Sequence, residues 1–251
     1  MLYRSYILRF FSVLNTSPTQ NIHRSYLSTL SSQDGQYSET YTTKQPHYVE
    51  AVHEKTVSSF PKSHMMISTV QGAFLKLLVQ VSKVTKVLEL GTFTGYSALC
   101  MAEGLKERGP EAKIVTLEKN PIHFKAAKEN IESSGLGHLI ELKHGDATDL
   151  LLNIDNSVQY DLIFIDADKS NYINYYNTIL ERNLLSDDGV IVADNVLFYG
   201  YVSQVAKIND TSQIPSAAKH LHLFNEHVVN DWRTTQVLLP CFDGLMLIRK
   251  K

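Results

Sequence analysis

Acidic residues are missing from the first 33 positions, and cysteine is scarce throughout the chain. Between Met1 and Gln33 there is no Asp or Glu, while Arg4, Arg9, Arg24 and many serines interleave with Tyr6, Ile7, Leu8, Phe10, Phe11, Val13 and Leu14. That is transit-peptide composition. Arg9 interrupts the apolar stretch, which argues against a secretory core or a membrane anchor, and Arg24-Ser25-Tyr26 resembles an arginine-directed processing site. Residues 1–33 are therefore expected to be a mitochondrial presequence, with a disordered cytosolic extension as the alternative, and residues 34–251 a single domain. Two cysteines, Cys100 and Cys241, make neither a disulfide framework nor a zinc set, and are read as free thiols in a reduced compartment. No apolar run reaches the length that spans a bilayer. A formal net charge of -2 gives no general pull toward nucleic acid or anionic membrane, which favours a small-molecule partner.

What is present is a series of short apolar runs that end in acids. Tyr160-Asp161-Leu162-Ile163-Phe164-Ile165-Asp166-Ala167-Asp168-Lys169 and Gly189-Val190-Ile191-Val192-Ala193-Asp194-Asn195 are too short for helices. Such runs read as strands buried on both faces of a parallel sheet. Ligands of open α/β sheets bind beyond the carboxyl ends of the strands, so Asp166, Asp168, Lys169, Asp194 and Asn195 are expected to share one crevice.

Upstream, the chain reads as alternating helices and strands. Tyr48, Val52 and Val57 suggest a helix within residues 33–61 that caps the site. Val70, Phe74, Leu77, Leu78 and Val81 predict a helix from Met65 to Ser82, with hydroxyls at Ser68 and Thr69 to cap its entry. A strand follows from Lys86 to Leu90, then a glycine turn, Gly91-Thr92-Phe93-Thr94-Gly95, and a helix from Tyr96. Glycine serves there to turn the backbone tightly and let a ligand approach. A second strand, Lys113 to Glu118, ends in an acid, where doubly wound folds bind ribose hydroxyls. A helix begins at Pro121, and a third strand runs from Ile140 to His144 before a turn, Gly145 to Asp149. Tyr172 to Leu184 reads as a helix, Ser186 to Gly189 as a turn, and Thr235 to Leu239 with Leu245 to Ile248 as a closing hairpin. His220 and His222 show no ligand spacing and are read as structural. Trp232 and the tyrosines of Tyr172 to Tyr176 are read as packing or interface residues.

Glu-Leu-Gly-Thr-Phe-Thr-Gly-Tyr-Ser after the first strand, an acid after the second, Asp-Ala-Asp-Lys after the fourth and Asp-Asn after the fifth form an ordered set. From about Met65 to the C-terminus, that set resembles the cation-dependent small-molecule O-methyltransferases, the family of the caffeoyl-CoA and catechol O-methyltransferases. The resemblance implies an α/β, Rossmann-like, S-adenosylmethionine-dependent fold: a mostly parallel seven-stranded sheet with an antiparallel C-terminal strand and helices on both faces. Carried over by position, it implies cofactor contacts at Ile67 (through its backbone), Glu89, Gly91, Thr92, Ser97, Glu118, Ala147, Asp166 and Asp168. It places a divalent cation, Mg²⁺ foremost, on Asp166, Asp194 and Asn195, and an active-site lysine at Lys169. Members often dimerise, so a homodimer is expected. The segments before Pro61 and from Val196 to Pro215, which shape acceptor pockets in the family, match poorly, so the acceptor is expected only as an aromatic with vicinal hydroxyls.

The chemistry of these residue types agrees. Two carboxylates and an amide oxygen are a hard, all-oxygen set suited to Mg²⁺, which keeps waters and takes six ligands. By analogy with tyrosine, a phenol at pH 7 is ionised only about once in a thousand molecules, a cost of about 4 kcal/mol, and a cation can supply much of it. Lys169, beside that cation, is expected to have a depressed pKa and act as general base alongside Asp166. Two other classes fit less well. A nicotinamide-dependent oxidoreductase would want the third glycine of the dinucleotide fingerprint, which is missing here. A cofactor-binding protein without turnover would not need a cation set.

Overall fold

The computed structural model describes residues 32–207 and 211–251; the proposed presequence, apart from Ser32 and Gln33, lies outside them. Helices α1 (Ser32–Thr40), α2 (His47–Ser59) and α3 (Thr69–Val81) precede an alternating succession of β1 (Lys86–Leu90), α4 (Tyr96–Leu105), β2 (Lys113–Glu118), α5 (Pro121–Ser133), β3 (Ile140–His144), α6 (Ala147–Asn153), β4 (Tyr160–Ile165), α7 (Tyr172–Glu181) and β5 (Leu185–Ala193). The chain closes with α8 (Val202–Val205), α9 (Ser216–Val229), β6 (Thr234–Leu239) and β7 (Leu245–Lys250). The seven strands form one sheet in the order β3-β2-β1-β4-β5-β7-β6. Strands β1 to β5 pair in parallel, and β7 runs antiparallel between β5 and β6. This is the expected architecture.

Strand alternation divides the core into two layers. Leu88, Leu90, Ile163, Ile165, Ile191 and Ala193 pack with Tyr172, Tyr176, Leu221 and Phe224 of α7 and α9. Val87, Leu162, Phe164 and Val192 face the other way, against Val52, Leu75, Val79, Leu99 and Ala127 of α2 to α5. Both faces of the central strands are thus covered, which is why they read as unbroken apolar runs.

Several boundaries differ from expectation. Helix α3 starts at Thr69, where Ser68 Oγ accepts the Gln71 amide as an N-cap, and its buried stripe is Gln71, Gly72, Leu75 and Val79. Leu77 and Val81 face solvent instead. In α2 the buried positions are Val49, Val52 and Thr56, and Val57 is exposed. The turn expected at Ser186 to Gly189 is an irregularity inside β5, whose pairing passes from Tyr160↔Leu185 to Leu162↔Val190. Helix α7 stops at Glu181, because Asn183 takes a left-handed φ of 54°. The turn after β3 is the start of α6, capped by Asp146. His220 and His222 lie on a helix, α9, with His222 Nε2 3.5 Å from Glu226 Oε1 one turn on. Trp232 is 80% exposed, whereas Tyr172, Tyr175 and Tyr176 are buried. Cys100 and Cys241 are both free. Among the described residues no helix is long and apolar enough to cross a membrane.

Candidate active site

The carboxyl ends of β1, β2, β4 and β5 open into a cavity of about 860 Å³. Its wall includes Ile67, Gly91, Thr92, Ser97, Glu118, Ala147, Asp166, Asp168, Lys169 and Asn195, ten of the twelve residues singled out by sequence. The other two, Glu89 and Asp194, are 0% and 2% exposed and lie behind that wall. The segment after α2 closes it from above through Phe60, His64, Met65 and Met66, and Phe60, Phe93 and His123 meet edge to face there. The capping role expected of residues 33–61 thus falls to the stretch from Phe60 to Met66, just after α2.

One half of the cavity is built from β1 and β2. Gly91 has φ +99°, and a Cβ on it would fall 2.3 Å from the carbonyl oxygen of Asp166. Only glycine lets the turn after β1 pass this close to the end of β4. Glu89 and Thr116 are register partners on one sheet face, and Thr116 Oγ1 donates to Glu89 Oε2. The same hydroxyl lies 2.5 Å from that of Thr92. Burial raises the Glu89 carboxyl to about 7, against the lowering effect of Ser97 and Thr116. Its second oxygen, Oε1, is buried without a hydrogen-bond partner. At the end of β2, Glu118 Oε2 accepts Phe93 N–H (2.8 Å) and Oε1 accepts Asn120 N–H (2.7 Å), which fixes the carboxylate in the wall with lone pairs to spare. Asp168 is held by Tyr175 Oη (2.5 Å), Asn171 and Lys119 Nζ (3.3 Å). Burial would raise its carboxyl, but those donors bring it below the ordinary range.

The other half comes from β4 and β5. Register pairs Ile165 with Ala193, so Asp166 and Asp194 emerge side by side, Asp166 N–H bonding Leu90 O (2.9 Å) and Asp194 N–H bonding Ile165 O (3.0 Å). Asp194 Oδ2 accepts Gln71 Nε2 (2.8 Å), and Oδ1 accepts Asn195 N–H (2.7 Å). Burial, reinforced by the charge of Asp166, pushes the Asp194 carboxyl up. Lys169 Nζ donates to Asp166 Oδ1 (2.7 Å) and Tyr172 Oη (2.8 Å). The depressed pKa expected for Lys169 is not found. Burial does lower it, but Asp166, Tyr172 and Asp194 outweigh burial and hold the ammonium protonated. That expectation presumed a cation sharing the two carboxylates.

The donor set fits a hard cation in type, with two carboxylates and the side-chain oxygen of Asn195. Among the described residues no group of three or more His, Cys, Asp or Glu could hold a metal, so the set has two carboxylates and takes its third ligand from an amide. The residues also fit an adenosyl amino acid: Glu118 keeps lone pairs free in the cavity wall, and just behind that wall Glu89 carries a buried oxygen with no hydrogen-bond partner. Sequence reading missed Gln71, Tyr172, Tyr175 and Asp243, which hold the singled-out residues. The available signals were local: Tyr172 follows Lys169 by three residues and Tyr175 follows Asp168 by seven, whereas Gln71 and Asp243 are brought in by tertiary packing.

Residues 38–251 match a family model described as O-methyltransferase. The chain is 37% identical over 205 residues to an O-methyltransferase, ankF, of Aspergillus thermomutatus, covering 78% of this chain and 83% of that one. It is 30% identical over 215 residues to a caffeoyl-CoA O-methyltransferase of Petroselinum crispum, covering 83% and 87%. Its fold superposes on the SAH-bound Podospora anserina methyltransferase PaMTH1 with a TM-score of 0.81 at 32% identity, covering 87% and 94%. With the crevice, the glycine turn and the two strand-end acids in place, the chain belongs to the O-methyltransferase family and is an S-adenosylmethionine-dependent O-methyltransferase.

Proposed function

We propose that the enzyme methylates one of two adjacent hydroxyls on a small aromatic acceptor and that it needs a divalent cation, Mg²⁺ foremost, to do so. One observation carries this reading: Asp166 and Asn195 line the cavity of the cofactor residues beside Lys169, and Asp194, at the neighbouring strand end, stands directly behind its wall. The likeness to a caffeoyl-CoA O-methyltransferase supports an acceptor of phenylpropanoid type.

The cation, held by Asp166, Asp194 and the Asn195 amide oxygen, would lower the cost of ionising an aromatic hydroxyl. The protein supplies the rest. Lys169 would take the hydroxyl proton at Nζ as the neutral amine, a state open to it once Asp166 and Asp194, which help to hold it protonated, are engaged elsewhere. Glu118 offers oxygen acceptors to the ribose hydroxyls, and Thr92, Ser97, Ala147 and Asp168 line the remaining cofactor surface. Gly91 keeps that surface within reach of Asp166. Methyl transfer then depends on holding the nucleophile in line with the sulfonium, which is a matter of positioning.

Incubation with labelled methyl donor, magnesium and paired isomers tests the acceptor. Catechol should be methylated and resorcinol, whose hydroxyls are not adjacent, should turn over at least about a hundredfold more slowly, as expected when positioning is lost. Equal rates would sink the vicinal-hydroxyl reading.

Glu89 gives a second test. Its carboxyl titrates near 7, so it is ionised above that pH and protonated below it. A free α-amino group titrates near 8. The pairing of carboxylate with ammonium therefore strengthens as pH rises toward 7.5. Calorimetric affinity for S-adenosylmethionine should be roughly sixfold tighter at pH 7.5 than at pH 6. Glu89→Gln should flatten that dependence; an unchanged slope would remove Glu89 from the cofactor site.

A further inference from the structure

The tip of the hairpin between β6 and β7 folds back onto the segment that follows β5, beside the crevice. Phe242 and Asp243 take left-handed φ values of 56° and 84°, a conformation that costs about 1–3 kcal/mol per residue unless the surroundings impose it. The surroundings are the segment after β5. Val196 N–H bonds Gly244 O (3.1 Å), and Leu197 N–H bonds Asp243 O (3.0 Å). Gly244, at φ +90°, packs so closely that a Cβ on it would meet Leu197 at 2.6 Å. The result is a strained turn clamped onto the residues just past Asp194.

Asp243 uses its side chain on the same segment. Oδ2 accepts from Asn195 Nδ2 at 3.3 Å, and Oδ1 accepts the backbone N–H of Tyr199. An ionised carboxylate can only accept. Placed against Asn195, it draws the NH₂ end of that amide toward itself and so turns the carbonyl end away. Tyr199 and Phe198 line the cavity beside Asn195, and both have left-handed backbones, with φ 54° and 43°.

We propose that Asp243 is a positioning residue that decides which end of the Asn195 amide faces the cation site and ties the Phe198-Tyr199 wall of the acceptor pocket to it. The inference rests on the cation-binding reading above. Among the described residues Asp243 is the hydrogen-bond partner of the Asn195 amide, and a neutral amide ligates a hard cation through its oxygen rather than its nitrogen. Outer residues that orient ligands are worth roughly 10–100-fold in metal affinity.

The test is Mn²⁺ titration, followed by electron paramagnetic resonance, of wild type, Asp243→Asn and the exchanged pair Asn195→Asp/Asp243→Asn. Wild type should bind one Mn²⁺. Asp243→Asn, isosteric but able to present NH₂ toward Asn195, should bind it roughly 10–100-fold more weakly, with a raised KM for catechol and unchanged affinity for S-adenosylmethionine. The exchanged pair presents only carboxylate oxygens at position 195 and still has a donor opposite them, so it should recover most of the lost affinity. Wild-type affinity in Asp243→Asn, within twofold, would overturn the inference alone, as would an exchanged pair no better than the single variant. Should Asp243→Asn fail to fold, Asp243→Ala replaces it in the same titration, with the same expected loss and the same overturning result. A wild-type enzyme that binds no Mn²⁺ would overturn both this inference and the reading beneath it.

Discussion

Asp194→Ala is expected to lower turnover by at least about a thousandfold at pH 7, the factor set by the scarcity of phenolate at that pH, while leaving affinity for S-adenosylmethionine within about threefold. The carboxyl is buried and lies beside Asp166, an arrangement that already disfavours its charge. Removing it relieves that repulsion but leaves Gln71 Nε2 and Asn195 N–H without their acceptor, a loss of about 1–3 kcal/mol for a donor that stays buried and unpaired. The two effects oppose each other, so the melting temperature should move by only a few degrees, about 2–4 °C for each kcal/mol in a domain of this size. Mn²⁺ binding should disappear with turnover. A variant that keeps a tenth of the wild-type rate would remove Asp194 from the chemistry, and one that loses cofactor affinity instead would assign it to the other half of the cavity.

Gly91→Ala should damage both halves at once. The new methyl would occupy space 2.3 Å from Asp166 O and 2.7 Å from its carbonyl carbon, both backbone atoms that cannot swing aside. Left-handed strain of about 1–3 kcal/mol and overpacking of about 1–3 kcal/mol together amount to a large share of the stability of a typical domain. The melting temperature should fall by about 10 °C. Because the displaced backbone belongs to Asp166, the surviving folded protein should bind both S-adenosylmethionine and Mn²⁺ more weakly. A thermal scan within 2 °C of wild type would show that the turn after β1 can open without cost, which so close an approach forbids.

How much of this was legible in the sequence depends on distance along the chain. The strand-end acids were readable because a strand buried on both faces must be apolar until it emerges, so Asp166 and Asp194 mark the sheet edge by themselves. Gly91 was readable because a strand-to-helix turn beside a ligand leaves few alternatives to glycine. Helix α9 was not, since its histidines and asparagine dilute the apolar period that Leu221, Phe224 and Val228 actually follow. On α3 the buried stripe is hidden because glycine and glutamine fill part of it: Gly72 sits where a side chain would strike Cys100 Sγ, and Gln71 is buried because Asp194 gives its amide a partner. Lys169 illustrates the same limit. Its neighbour Asp166 is three residues away and visible in sequence, but the counterweight of Asp194 and Tyr172 comes from elsewhere in the fold. Asp243, 48 residues from Asn195, was readable only as part of a turn.

The most direct measurement of the central claim is the catechol assay run on wild-type enzyme in excess chelator and again after magnesium is restored. Methyl transfer should fall to the level of a no-enzyme control in chelator, with S-adenosylmethionine still bound by calorimetry, and return in full with Mg²⁺. Undiminished transfer in chelator would mean that the crevice ionises its acceptor with protein groups alone, and the role given to Asp166, Asp194 and Asn195 would be wrong.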